Sequence, residues 1–181
     1  MRNRWGGGEH AGRRRRVPSQ PRLPALAPPA LVPIPRSLRM PTLRHTLSLE
    51  TTAPIAILDL TDAVRAWVQA SGVRDGLLTV LSPHTTARIT LNERDPALQR
   101  DMVTFLERIA PREQAYEHNL HTVDDRENAH AHLLGLFMPA SVSVPVTSGD
   151  LELGGWQSLF FVELDGPRRT RTVQLHLMVS A

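Results

Sequence analysis

The chain contains no cysteine and no lysine: all 21 of its basic residues are arginine. Without cysteine there are no disulfides, thiolate nucleophiles or zinc–thiolate centres. Without lysine there is no Schiff-base catalysis and no phosphate-loop lysine. No apolar run approaches the roughly 18 residues needed to cross a bilayer. The N-terminus also lacks the compact apolar stretch and small-residue cleavage site of a secretory signal. These absences point to a soluble, cytoplasmic protein with no membrane partner.

What is present fits one domain with a tail. The 181 residues are 41% hydrophobic, enough to bury a core. Residues 1–39 carry nine arginines against a single acid, Glu9, a net +8, whereas the rest carries twelve arginines against seventeen acids, a net −5. The high isoelectric point of 10.8 therefore belongs to the tail. That tail holds Arg13 to Arg16 in a row and the proline-rich stretch PALAPPALVPIP over 24–35. It is read as a disordered extension over 1–39 that precedes a folded domain over 40–181, with Met40 a natural alternative start. A basic arm could touch nucleic acid. A solvated extension is the favoured reading, and no nucleic-acid partner is expected.

From Met40 onward strand and helix patterns alternate. Residues 43–50 alternate as an edge strand, and 54–60 read as a second extended piece. Thr61 is placed to cap a helix over 62–71 in which Val64, Trp67 and Val68 share a face, with Gly72 as its stop. Residues 75–82 and 85–92 read as strands, the second rich in β-branched side chains. Asp95 as N-cap and Pro96 at the first helical position open the best-marked helix, whose buried stripe is Leu98, Met102, Phe105, Leu106 and Ile109. A short helix is expected over 127–137, and strands over 141–146, 151–164 and 170–179. The fold class is α+β: a single domain, largely antiparallel β-sheet with two or three packed helices. Glu163, Arg168, Arg169 and Arg171 fall at a hairpin, where cross-strand ion pairs are the favoured reading and phosphate binding by the arginines the alternative.

The segment 116–140 holds His118, His121, His130 and His132, half of the eight histidines. Its first part is too polar for an ordinary core element. Neutral imidazole is the commonest nitrogen ligand of first-row metals, and three of them leave an open coordination position. Three separated segments offer one: His84 within SPHTTARITLNE, His118, and the His130/His132 pair. Residues two apart share a side of a strand but lie about 200° apart on a helix. If 127–137 is helical, His130 and His132 do not readily share a metal. Short-range zinc signatures such as HExxH are missing, so spacing alone leaves these histidines open between ligands and hydrogen-bonded structural positions.

Four stretches, in order, carry a resemblance: SGVRDGLLTVLSPHTTARITLNE, YEHN, ENAHAHL and SVSVPVTSGDLELGGWQSLFFVELDGPRRTRTV. From about Met40 to the C-terminus the chain resembles the YjbQ family, long uncharacterised and often labelled secondary thiamine-phosphate synthase. One departure is Gly155 in LGGWQ, where that family usually has threonine. The resemblance implies a compact subunit assembled as a homotrimer, with histidines gathered in a pocket near a subunit boundary. It points to His84, His118 and His132 as catalytic or metal-ligating groups or an anion cluster, with His130 less constant. The implied cofactor is a divalent metal such as zinc or magnesium, and the implied partner a small phosphorylated substrate.

The implied activity is thiamine phosphate synthesis, joining a pyrimidine diphosphate to a thiazole phosphate. The alternative is a metal-dependent hydrolase or a non-catalytic metal-binding protein. Around the trio, Glu93 and Asp101 could orient a ligating imidazole or favour a helix dipole. Asn128 could cap the histidine helix or touch substrate. Trp156 and Gln157 could line the pocket or, for the tryptophan, pack in the core. Pro83 is expected to bend the chain so that His84 faces the pocket.

Overall fold

The computed structural model describes residues 40–122 and 124–180. The extension expected over 1–39 lies outside the described residues. Strands β1 (Thr42–Thr51), β2 (Ala56–Asp59), β3 (Gly76–Leu81), β4 (Ala87–Glu93), β5 (Ser141–Thr147), β6 (Asp150–Leu151), β7 (Gln157–Glu163) and β8 (Arg168–Val179) accompany helices α1 (Thr61–Ser71), α2 (Pro96–Ile109) and α3 (Ala129–Leu134). All the strand pairings are antiparallel. The α+β reading holds, but the strands form two sheets, one ordered β1-β8-β3-β5-β6 and the other β2-β7-β4.

Local chemistry explains the partition. The strand expected over 151–164 breaks after Leu151, because the Gly154–Gly155 turn closes on itself. The Gln157 amide donates to the Gly154 carbonyl at 2.9 Å, and the Gln157 side-chain oxygen accepts from the Gly154 amide at 2.9 Å. The break leaves β6 as a hairpin partner of β5 and frees β7 to run through the centre of the second sheet. There β7 is buried from Ser158 to Glu163. Leu159 and Phe161 pack with Val64 and Val68 of α1 and with Leu78, Val80, Leu175 and Leu177 of the first sheet. Val162, with Leu164, packs against Leu106, Ala131 and Leu134 from the helical side. A strand covered on both faces reads as the continuous apolar run LFFV rather than as an alternation.

The helix ends show what caps them. Leu60, not Thr61, holds the N-cap position of α1. The Asp59 carboxylate accepts from the Thr61 amide at 2.8 Å, while the Thr61 hydroxyl accepts from the Leu159 amide at 2.9 Å. The threonine is thus drawn away from its own helix by a strand it must anchor. Asp95 does cap α2, its carboxylate accepting from the Leu98 amide at 2.6 Å. Replacing Asp95 by alanine should cost about 1 kcal/mol, read as a lower denaturation midpoint at unchanged denaturant dependence.

The apolar stripe of α2 is only partly covered. Leu106 is buried, but Phe105 is 60% and Ile109 43% exposed. The sheet beneath has three strands and covers one edge of the helix. The remainder, with Phe137 and Met138, lines an apolar groove of about 510 Å³. The helix expected over 127–137 is shorter, spanning Ala129–Leu134. Among the described residues no helix is long and apolar enough to cross a membrane.

Candidate functional site

Two of the three anticipated histidines meet. His118 lies in a short 3-10 turn, Glu117–Leu120, and His132 in α3. Their ring centroids are 5.2 Å apart and edge-on, at an interplanar angle of 83°. Asn119 holds them together: its side-chain oxygen accepts from the Ala129 amide at 3.0 Å, tying the 3-10 turn to the first amide of α3. His118 is exposed and His132 half-buried, and both line a depression of about 290 Å³ with Tyr116, Ala129 and Leu133. Burial, helped by the charges of His118 and Arg88, lowers the pKa of His132 below its ordinary 6.5 against the opposing pull of Asp165 and Asp124. The imidazole is therefore neutral near pH 7, the form that binds metals.

His84 does something else. Its Nε2 accepts a hydrogen bond from the Thr172 amide of β8 at 3.0 Å. A neutral imidazole has one lone pair, and here that amide takes it, so the proton sits on Nδ1 and none is left for a metal. Burial and the charge of Arg171 lower the pKa of His84 and reinforce the neutral form, although the Thr172 contact and Glu163 pull the other way. Among the described residues no three His, Cys, Asp or Glu side chains stand close enough to hold one metal ion. Within a single chain the structure brings His118 and His132 together and leaves His84 apart, its imidazole pinning the 82–86 loop to β8.

Arg88 links these two places. Its Nε donates to the Gly135 carbonyl at the end of α3 at 2.9 Å, and its Nη1 to the His84 carbonyl at 3.1 Å. A Cβ at Gly135 would fall 2.3 Å from the Arg88 Nη2, so glycine is what allows the guanidinium to lie there. Beneath, Glu163 and Arg171 form a two-pronged buried ion pair at 2.6 and 2.7 Å. Arg171 also donates to the Thr86 hydroxyl at 3.0 Å, and Glu163 accepts from the Thr51 hydroxyl and from the Leu164 and Asp165 amides. Arg168 pairs with Asp165. Arg168 and Arg171 are committed to ion pairs, but not across a hairpin: β7 and β8 belong to different sheets, so Glu163–Arg171 bridges the two sheets and Arg168–Asp165 is a local pair three residues apart.

The YjbQ family model (UPF0047 protein YjbQ-like) matches residues 45–180. The chain belongs to the YjbQ family. It is 40% identical over 125 residues to a UPF0047 protein of Methanothermobacter thermautotrophicus, covering 69% of this chain and 85% of that one. To the UPF0047 protein YugU of Bacillus subtilis it is 39% identical over 137 residues, covering 74% and 97%. Among solved structures, a YbjQ-like protein of unknown function from Sulfolobus solfataricus superposes with a TM-score of 0.73 at 33% identity, covering 78% of this chain and all of that one. A hypothetical protein from Aeropyrum pernix gives 0.70 at 38% identity, covering 76% and 99%.

In this YjbQ-family chain the remaining candidates fall in other places. His130 is 3% exposed and lines a separate cavity, as the helical spacing from His132 requires. Glu93, Trp156 and Gln157 do gather, but around a polar depression of about 220 Å³ shared with Arg94. Glu93 pairs with Gln157 at the end of the β4–β7 ladder opposite Ala87 and Glu163, about 20 Å along the strand from the His84 loop. Trp156 is 79% exposed and precedes β7, so it is not a core residue, and it is not among the residues lining the histidine depression. Asp101 is exposed on α2. Asn128 occupies the N-cap position of α3 without a side-chain cap, and its amide donates to Asp165 at 3.3 Å instead. The residues sequence reasoning missed are Arg88 and Asn119. Asn119 carries a signal, being the last residue of YEHN; Arg88 carries none beyond its place beside the HTT loop.

Proposed function

We propose that His118 and His132 supply two imidazole ligands of a divalent metal, at a surface depression that a neighbouring subunit of a homotrimer closes. The observation that carries this reading is the ring separation of 5.2 Å. Two imidazoles bound at about 2.0–2.1 Å to one tetrahedral ion have centroids about 5 Å apart. On this nitrogen donor set the fitting metal is zinc and not the oxygen-preferring magnesium, and it would supply Lewis-acid stabilisation of a phosphate group. Asn119 keeps the pair in register, and Arg88, fixed by backbone carbonyls, adds a positive charge beside it. The substrate class is a small phosphorylated molecule, and thiamine phosphate formation is the reaction to assay. With no lysine in the chain, arginine and histidine are the side chains available to a diphosphate.

The test uses tag-free full-length protein: metal content, then thiamine phosphate formation from the pyrimidine diphosphate and thiazole phosphate, in wild type, His132→Ala and His84→Ala. Metal and turnover lost together in His132→Ala support the enzyme reading. Metal retained without any turnover supports a binding module instead. Turnover that survives His132→Ala places the activity elsewhere.

The exposed apolar groove beside α2 is the face we assign to trimer packing, since a contiguous apolar patch of this kind marks an interaction surface. Light scattering should give three times the 20.1 kDa chain mass, and Phe105→Asp combined with Phe137→Asp should reduce it to one. A monomeric wild type would contradict the assembly, and a trimeric double variant would move the interface to another face.

A further inference from the structure

We propose that two copies of this chain pair through the free edge of β1, antiparallel about Leu47, and so join two five-stranded sheets into one. Among the described residues β1 pairs with β8 on one side only. It is ten residues long, and every residue from Thr42 to Thr46, with Ser48 and Glu50, is exposed. A long edge of this kind presents a row of unmade backbone hydrogen bonds to any strand that fits. Two common obstacles are missing between Thr42 and Thr51. No proline interrupts the run, and the one irregularity near its end puts the extra residue on β8, since Leu49 faces Arg171 and Thr51 faces Arg168.

The pairing with β8 decides which groups are free. The Val179 amide donates to the Pro41 carbonyl at 3.0 Å, and Thr42 stands opposite Met178. The odd-numbered residues of β1 therefore direct their backbone groups to β8, and the even-numbered ones turn theirs outward. The β8 side agrees: the amide of even-numbered Thr172 points away from β1, to His84. Two such edges satisfy each other only where even-numbered residues face. Pairing about Leu47 sets Thr46 opposite the partner's Ser48 and Arg44 opposite the partner's Glu50, each twice by symmetry. Among the described residues neither Arg44 nor Glu50 takes part in an ion pair. A shift of two residues in either direction parts the charges, so charge complementarity selects this register. On the other face Leu47 meets the partner's Leu47, extending the apolar layer on which Leu47 and Leu49 already pack. A two-fold contact of this kind is self-complementary and closed. It is separate from the groove beside α2, which β1 does not line. Resting on strand edges and exposed charges, it is the weaker of the two contacts and fills as concentration rises.

Because the chain has no cysteine, disulfide trapping on the full-length protein tests the register. Hydrogen-bonded antiparallel pairs have Cα atoms about 5.5 Å apart, within disulfide reach, whereas diagonal neighbours lie about 7–8 Å apart. A mixture of Thr46→Cys and Ser48→Cys chains should oxidise to a species of twice the chain mass, and either variant alone, at the same concentration, should give about a tenth of that or less. Arg44→Glu in both chains should cut the yield by about tenfold or more, and adding Glu50→Arg should restore it. All four positions are exposed, so the reduced variants should melt like the wild type. The proposal is overturned if the mixture crosslinks no better than the single variants, if Arg44→Glu leaves the yield unchanged, or if the charge swap does not restore it. Phe105→Asp with Phe137→Asp should leave the crosslink in place. Its loss there would also overturn the proposal, because the contact would then be a by-product of the groove.

Discussion

Replacing Arg171 by methionine should destabilise the folded chain by about 3–5 kcal/mol, because it strands a buried carboxylate. The Glu163 side chain is 0% and the Arg171 side chain 7% exposed. Burial alone would raise the Glu163 pKa, but the hydrogen bonds and charge of Arg171, with the Asp165 amide and the Thr51 hydroxyl, hold it below the usual 4.5. A depressed pKa means that the wild-type pair contributes fully above pH 4.5 and is lost as pH falls through the folded value. In Arg171→Met the burial effect dominates, the Glu163 pKa rises above its unfolded value, and the sign reverses: the variant loses stability as pH rises. The gap in melting temperature between the two proteins should therefore be wide at pH 7 and narrow toward pH 4. A constant gap would show that Arg171 acts by packing and not by charge. Replacing both partners with methionine should restore most of the loss, since no lone charge remains buried.

Acid has a second, earlier effect. His84, His130 and His132 all have lowered pKa values, so the unfolded chain takes up protons that the folded one refuses. Their contribution to stability is complete above 6.5 and declines as pH drops below it.

His132→Ala should weaken divalent-metal binding by at least about 100-fold, since loss of a residue that merely orients a ligand already costs about 10–100-fold. Asn119→Ala, which frees the 3-10 turn from α3, should fall in that lower range, whereas His84→Ala should leave the metal affinity unchanged and lower stability instead. Isothermal titration with zinc on the three variants separates these roles. Equal losses for His84 and His132 would restore the three-histidine cluster.

Much of this molecule was legible before its coordinates. The Asp95–Pro96 start of α2, the Gly72 stop and the apolar run of β7 are local signals, and local physics decided them. Other features depended on distant partners. Thr61 would cap its helix in isolation, but the Leu159 amide, 98 residues away, takes its hydroxyl. The stripe of α2 was read correctly as apolar, yet its burial depends on the width of the sheet beneath, which no single segment encodes. His84 stands out in the sequence as the first residue of HTT, between a proline and a strand. Its role turned on the Thr172 amide arriving from the last strand, and imidazole spacing along the chain carries no record of that. The His118–His132 meeting rests on Asn119, a side-chain-to-backbone link across ten residues that pattern reading does not see.

The most direct measurement is a zinc titration of the ¹⁵N-histidine-labelled chain, followed at the ring nitrogens. One equivalent should shift His118 and His132 together and leave His84 untouched, neutral, with its proton on Nδ1. A shift of His84 with the other two, or zinc binding that moves neither His118 nor His132, would contradict the two-imidazole site.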